Sequence, residues 1–280
     1  MAATTSRYFT FDLEDHRPRP EWPKRYPDIT RKLLDFLDAR RITATVFVLG
    51  RVAREEPALI TEIARRGHEI GFHSFAHRHL TRESPAALAA QLSEYRTRLE
   101  DLAGQPVLGY RAPAFSLTRD SLWATELIRD AGFAYSSSVL PAASPLFGFP
   151  GAPRQPFLWP NGLLEIPAPV ARLGPLEFPF LGGFYLRYLP SWLIRRCLAQ
   201  GQPEQCYWLY CHPHDFDNEE PFYRIEGTSL LTSALLWFNR ANSFRKLARV
   251  IDGDPDECRY RTFAAARAGG EFDRAAAFAP

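Results

Sequence analysis

Seven side chains able to bind a metal or move a proton stand just beyond apolar stretches of the chain. Asp12, Glu14 and Asp15 come after Tyr8-Phe9-Thr10-Phe11, and His73 and His77 after His68-Glu69-Ile70-Gly71-Phe72. Arg111 follows Val107 to Tyr110, and His212 follows Tyr207-Trp208-Leu209-Tyr210. Two imidazoles and one carboxylate leave a coordination position open, as catalytic zinc or iron(II) requires. His73 and His77 lie four residues apart, and one helical turn would set both rings on one side. The acids must divide two tasks, metal ligand and general base. Alternation along a strand puts Asp12 and Glu14 on one face; a turn directly after Leu13 would bring Asp15 to the metal instead, and the choice stays open. A guanidinium at Arg111 suits bidentate fixing of a carboxylate, holding it ionised. His212 suits a general acid near neutral pH. His16, His68, His79 and His214 read as structural or peripheral. An isolated H-x-x-x-H is more often a polar loop; the coincidence at four strand ends carries the argument.

The elements that must present these groups alternate. Helical spacing recurs in Ile29, Leu33, Phe36 and Leu37, in Leu59, Ile60 and Ile63, and from Ser84-Pro85 to Gly104. Thr118 can cap a helix carrying Leu122, Trp123, Leu127 and Ile128, and helices also fit residues 191–200, 230–238 and 244–251. Strand signals fall at residues 8–11, 43–49, 68–72, 107–110, 133–139, 163–166 and 207–210. Repeated strand–helix units predict parallel strands whose C-terminal ends share one face, where catalytic groups of barrels collect. The pattern favours a barrel over an open sheet. Residues 141–160, rich in Pro and Gly, read as a long functional loop, and the Ala- and Arg-rich residues 259–280 as a loose tail.

Composition narrows the classes. The 280 residues hold 34 Lys+Arg against 32 Asp+Glu, a formal charge of +2, so a concentrated basic face for nucleic acid is not expected. With 46% hydrophobic and 24% charged residues, the chain reads as an ordinary globular protein. Cys197, Cys206, Cys211 and Cys258 have no C-x-x-C spacing and are expected to be buried free thiols. No apolar leader precedes Tyr8, and no stretch nears roughly 18 uninterrupted apolar residues. A cytoplasmic protein without a transmembrane segment is therefore expected.

The order of motifs resembles the polysaccharide deacetylases of the NodB-homology group. It runs Phe11-Asp12-Leu13-Glu14-Asp15, His73-Ser74-Phe75-Ala76-His77, Arg111-Ala112-Pro113, Tyr135-Ser136-Ser137-Ser138-Val139 and His212-Pro213. The first motif is closest to the branch reading F-D-x-E-D, and the likeness extends from about Tyr8 to Ile251. It implies an α/β fold, a distorted, incomplete (β/α) barrel of about seven parallel strands. It also implies one catalytic domain over residues 1–258, a divalent metal (Zn2+ expected), and hydrolysis of N-acetyl groups on amino sugars. By position, Asp12 matches the base, Arg111 the arginine orienting it, His212 the acid, and His73 and His77 the metal imidazoles. The metal carboxylate matches Glu14 or Asp15. Ala114, with Phe115 and Tyr185, is expected to contact substrate. The chain departs from the family at Ser136, where relatives often carry Asp, weakening any support there for His212. It also departs at His214-Asp215, in place of Trp-Glu, and at His16, in place of an aromatic.

A cytoplasmic enzyme would act on an N-acetylated glycan or a lipid- or nucleotide-linked sugar carrier, at most at the inner membrane face. The aromatic segment from Leu176 to Leu193 could rest at a lipid surface or line a sugar groove, with buried packing as the plainer reading. Rival readings are a cyclic-amide hydrolase acting on allantoin-like ureides, and a sugar-binding relative without catalysis.

Overall fold

The computed structural model describes residues 6–144, 146–173, 176–199, 206–225, 229–253 and 259–280. Its strands are β1 (Ser6–Leu13), β2 (Thr45–Val48), β3 (Glu69–Phe72), β4 (Gly109–Tyr110), β5 (Tyr135–Ser136), β6 (Phe157–Leu158), β7 (Leu164–Glu165), β8 (Val170–Leu173), β9 (Leu176–Pro179), β10 (Tyr207–Cys211), β11 (Arg259–Arg261) and β12 (Ala276–Ala277). Between them run α1 (Tyr26–Asp38), α2 (Gly50–Glu55), α3 (Pro57–Arg65), α4 (Pro85–Ala103), α5 (Trp123–Asp130), α6 (Gly183–Tyr188), α7 (Ser191–Ala199), α8 (Leu230–Trp237), α9 (Ser243–Ile251) and α10 (Phe263–Ala268). The sheet order is β10-β1-β2-β3-β4-β5-β7-β6-β12. Every pairing from β10 to β7 is parallel, and β6 then runs antiparallel to β7. These are the seven parallel strands the motifs implied, curved but not closed into a complete barrel.

Alternation along β1 separates two cores. Phe9, Phe11 and Leu13 face outward and join the helices. Tyr8 points inward, into a second cluster with Phe47, Tyr135, Trp208 and Phe263. The helices form where local chemistry allows. In α4, the Ser84 hydroxyl accepts from the Ala87 N–H, Pro85 takes the first turn, and Gly104 ends the helix at φ 64°.

Residues 259–280 are not a loose tail. β11 pairs with the start of β1, and β12 with β6. Phe263 is fully buried against Tyr8, Tyr135 and Trp208, so it plugs the lower end of the barrel. Glu69 is buried beside it, accepting from Thr45 Oγ1, Tyr135 Oη and the Ala264 N–H. Burial raises the Glu69 carboxyl, although these donors oppose the shift. The apolar-and-aromatic segment beginning at Leu176 supplies β9, which pairs with β8 as a separate hairpin, and then α6. Cys197, Cys206 and Cys211 are buried free thiols; Cys258 lies outside the described residues. Among the described residues, no helix is long and apolar enough to cross a membrane.

Gly109 lets β4 approach this plug. A Cβ there would stand 2.3 Å from Tyr135 Cζ and Oη. Gly109→Ala is expected to destabilise the fold by about 1–3 kcal/mol, read as a lower midpoint in urea unfolding. An unchanged midpoint would mean that Tyr135 is free to move off Glu69.

Candidate functional site

The C-terminal ends of β1, β3, β4 and β10 converge. β1 carries Asp12 and Glu14 to the same side, both buried. His73 comes from the end of β3 and is fixed by its Nδ1–H, which donates to the Arg111 carbonyl at 2.8 Å. Its Nε2 then faces Glu14 Oε1 at 3.0 Å, and His77 Nε2 stands 3.3 Å from the same oxygen. No helical turn sets the two imidazoles together. A loop does so, with Ser74 and His77 in the left-handed region at φ 65° and 57°. Ala114 and Phe115 are left-handed as well, both at φ 53°, so strained backbone gathers around the site.

Glu14 and Asp15 separate cleanly. Asp15 turns away into a fork with Arg17, whose Nε and NH2 donate to it at 2.9 and 2.7 Å. Glu14 meets both imidazoles and, through Oε2, His16 Nε2 at 2.6 Å. Burial would raise the Glu14 carboxyl, but His77 and His16 hold it well below the usual carboxylate range. Donor atoms of Glu14, His73 and His77 lie within 4.8 Å of one another. With Nδ1 taken by the Arg111 carbonyl, His73 presents Nε2 beside His77 Nε2 and a Glu14 oxygen, and two imidazole nitrogens with one carboxylate oxygen are a donor set that fits a divalent metal.

Arg111 is fully buried, and its NH1 donates to Asp12 Oδ1 at 2.8 Å. The grip is single rather than bidentate. NH1 also reaches Thr10 Oγ1, while NH2 and Nε take the hydroxyl and carbonyl of Ser137. The guanidinium is clamped between Phe47 and Trp208, 4.0 and 4.4 Å from their ring centroids.

His212 ends β10 with Nε2 3.9 Å from Asp12 Oδ2 and 3.8 Å from Glu14 Oε1. Asp215 supports it from behind, accepting from the His212 backbone N–H at 2.9 Å and facing Nδ1 at 3.1 Å. Burial would lower the His212 imidazole, but the Asp215 hydrogen bond and the charge of Glu14 overcome this and push it up to about 9. Asp215 is also buried, 3.1 Å from the buried Arg187 guanidinium. Burial would raise its carboxyl; His214, His212 and Arg187 hold it well below the usual range. Gly183 makes room for it, since a Cβ there would sit 1.9 Å from Asp215 Oδ2.

Ser136 takes no part in this support, because its hydroxyl donates to Ser138 Oγ. Asp215, Arg187, His16 and His214 are thus site residues that sequence reasoning passed over. His214 stacks on His212 at 4.7 Å and meets His16 edge-on at 4.1 Å. Burial and the nearby His16 keep its imidazole well below the usual value. The capping pattern of His212 with an acid three residues on was the available signal for Asp215. Above these groups lies a cavity of about 400 Å³, with Ala114, Phe115, Tyr185, Tyr210 and Trp237 among its lining residues. That size suits one or two sugar rings with aromatic walls.

A family model described as polysaccharide deacetylase matches residues 4–135. One described as a domain of unknown function, DUF3473, matches residues 137–267. A peptidoglycan-N-acetylglucosamine deacetylase of Bacillus cereus is 34% identical over 103 residues, covering 36% of this chain and 38% of that protein. A chitooligosaccharide deacetylase of Azorhizobium caulinodans is 29% identical over 125 residues, 44% of this chain and 52% of that one. The chain therefore matches about half or less of the length of these curated relatives. Among solved structures, a Mycobacterium smegmatis protein described as a polysaccharide deacetylase aligns with TM-score 0.67 at 20% identity, over 99% of this chain and 93% of that one. A CE4-family pseudoenzyme from Bacillus anthracis aligns with TM-score 0.50 at 12% identity, over 94% and 65%. At such identities the likeness concerns the fold alone, and a fold shared with a pseudoenzyme leaves activity to be argued from side chains.

Proposed function

We propose, from the match of residues 4–135 to the polysaccharide deacetylase family, that the chain is a metal-dependent hydrolase releasing acetate from N-acetylated amino sugars. The carrying observation is that Asp12, Glu14, His77 and His212 line one cavity, with His73 buried against Glu14 and Arg111 buried against Asp12. Glu14, His73 and His77 would hold the metal, zinc by expectation, which when bound polarises a carbonyl and acidifies water. Asp12, positioned by Arg111, takes a proton from the attacking water as the oxygen–carbon bond forms. The Ala114 backbone N–H is assigned to the oxyanion that develops on the acetyl oxygen. His212 gives its proton to the nitrogen as the carbon–nitrogen bond breaks, leaving acetate and a free amine. Phe115, Tyr185 and Trp237 are assigned to the sugar faces.

The substrate class we infer is an N-acetylated glycan such as a peptidoglycan or chitin-type oligosaccharide, and the named activities of the relatives support it. The test is acetate release from a panel of such glycans and sugar carriers, using protein stripped by a chelator and then reloaded with zinc. Release that vanishes on stripping and returns with zinc is the expected result. Turnover of allantoin with no acetate from any N-acetyl sugar would overturn the reading.

A further inference from the structure

Beside the cavity lies an apolar surface of which only the inner edge, Leu236 and Trp237, belongs to the proposed site. α8 reads Leu230-Leu231-Thr232-Ser233-Ala234-Leu235-Leu236-Trp237, and only Ser233 is buried. Leu236 and Trp237 are half-buried and line the cavity, whereas Leu230 is 63%, Leu231 72% and Phe238 53% exposed. Phe238 stacks on Tyr188 at 4.8 Å, and Tyr188 on the exposed Phe184 at 4.4 Å. Trp192, at the start of α7, is 62% exposed. Single exposed apolar residues are ordinary, but an exposed strip on a helix with six apolar residues of eight marks a binding face.

Charge narrows what the strip binds. Asn239, next after Phe238, helps wall a shallow groove lined by Trp192, Arg195, Arg245, Lys246 and Arg249, with no acidic residue in its lining. Among the described residues none of these four cations pairs with a carboxylate, whereas Arg31, Arg40, Arg66 and Arg129 each do. The chain as a whole carries only +2, so these cations are a local concentration. Leucines, stacked aromatics and a tryptophan beside arginines that have no carboxylate partner among the described residues match an interfacial lipid-binding surface, with apolar groups for the acyl boundary and guanidinium groups for phosphates.

We propose that α8, Phe238, Phe184, Trp192 and the adjoining cationic groove dock this protein on an anionic lipid bilayer. Leu236 and Trp237 then place the mouth of the cavity beside the lipid surface. This docking is independent of the reaction assigned above and is tested without it. The full chain is sedimented with vesicles of phosphatidylcholine alone, or of phosphatidylcholine and phosphatidylglycerol at roughly 3:1, at low and high salt. Leu231→Glu and the pair Arg245→Glu with Arg249→Glu alter exposed side chains, and circular dichroism checks that each folds. The expected result is salt-sensitive binding to the anionic vesicles, falling by on the order of 10-fold or more in each variant. No binding, equal binding to neutral vesicles, or variants that bind like the parent would overturn the proposal. So would a dimer of the parent, seen by light scattering and abolished by Leu231→Glu, which would assign the face to a second copy.

Discussion

Replacing Asp12 by Asn is expected to lower acetate release by on the order of 10²–10⁴-fold while zinc content stays at its parental level. The substitution is nearly isosteric, and an amide oxygen can still accept from Arg111 NH1, which now meets Asp12 Oδ1 at 2.8 Å. The buried clamp of Thr10, Ser137, Phe47 and Trp208 around that guanidinium is untouched. What is lost is the ability to take a proton from water. The proposed metal ligands Glu14, His73 and His77 are separate side chains, so metal stoichiometry after dialysis distinguishes a missing base from a damaged site. If Asp12→Asn keeps most of the parental rate with zinc bound, the base is another group, and His212 is the next candidate by position.

How much was legible beforehand depended on whether the deciding contact was local. The α4 boundaries could be read from Ser84, Pro85 and Gly104 because capping is settled within a few residues. Strands as short as Gly109–Tyr110 and Tyr135–Ser136 exist only through pairing with distant neighbours, so their signals overran the observed lengths. The C-terminal plug was missed for the same reason. Phe263 and Ala264 look unremarkable in an Ala-rich tail until Thr45 and Glu69, some 195 residues or more away in sequence, accept their backbone N–H groups. In the candidate site, residue type at strand ends was enough to single out Asp12, His73, Arg111 and His212, which the fold brings together. The spacing of His73 and His77 was meaningful, but for a loop with two left-handed residues rather than a helical turn. Glu14 was separable from Asp15 only once Arg17 was seen to take Asp15.

On the proposed mechanism, with serine at position 136, the support of His212 falls to Asp215, and Asp215→Asn tests this directly. Asn can keep the contact to His212 Nδ1 and the backbone N–H, so geometry is largely retained and the negative charge alone is removed. Asp215 is one of the groups that raise the His212 imidazole against burial. Without that charge the folded-state value falls, and the imidazole gives up its proton at lower pH. The alkaline limb of the kcat/KM profile is therefore expected to move towards acid, with kcat near neutrality reduced by roughly 10–10³-fold. Stability changes as well, because the buried Arg187 loses its carboxylate partner at 3.1 Å and breaking a buried pair costs up to about 3–5 kcal/mol. Rates are accordingly normalised to the folded fraction from a thermal melt in the same buffer. A limb that stays in place, with a rate loss no larger than the loss of folded protein, would make Asp215 a structural anchor for α6 and remove it from the proton path. A limb that moves while the folded fraction holds would assign to Asp215 the electrostatic support of His212.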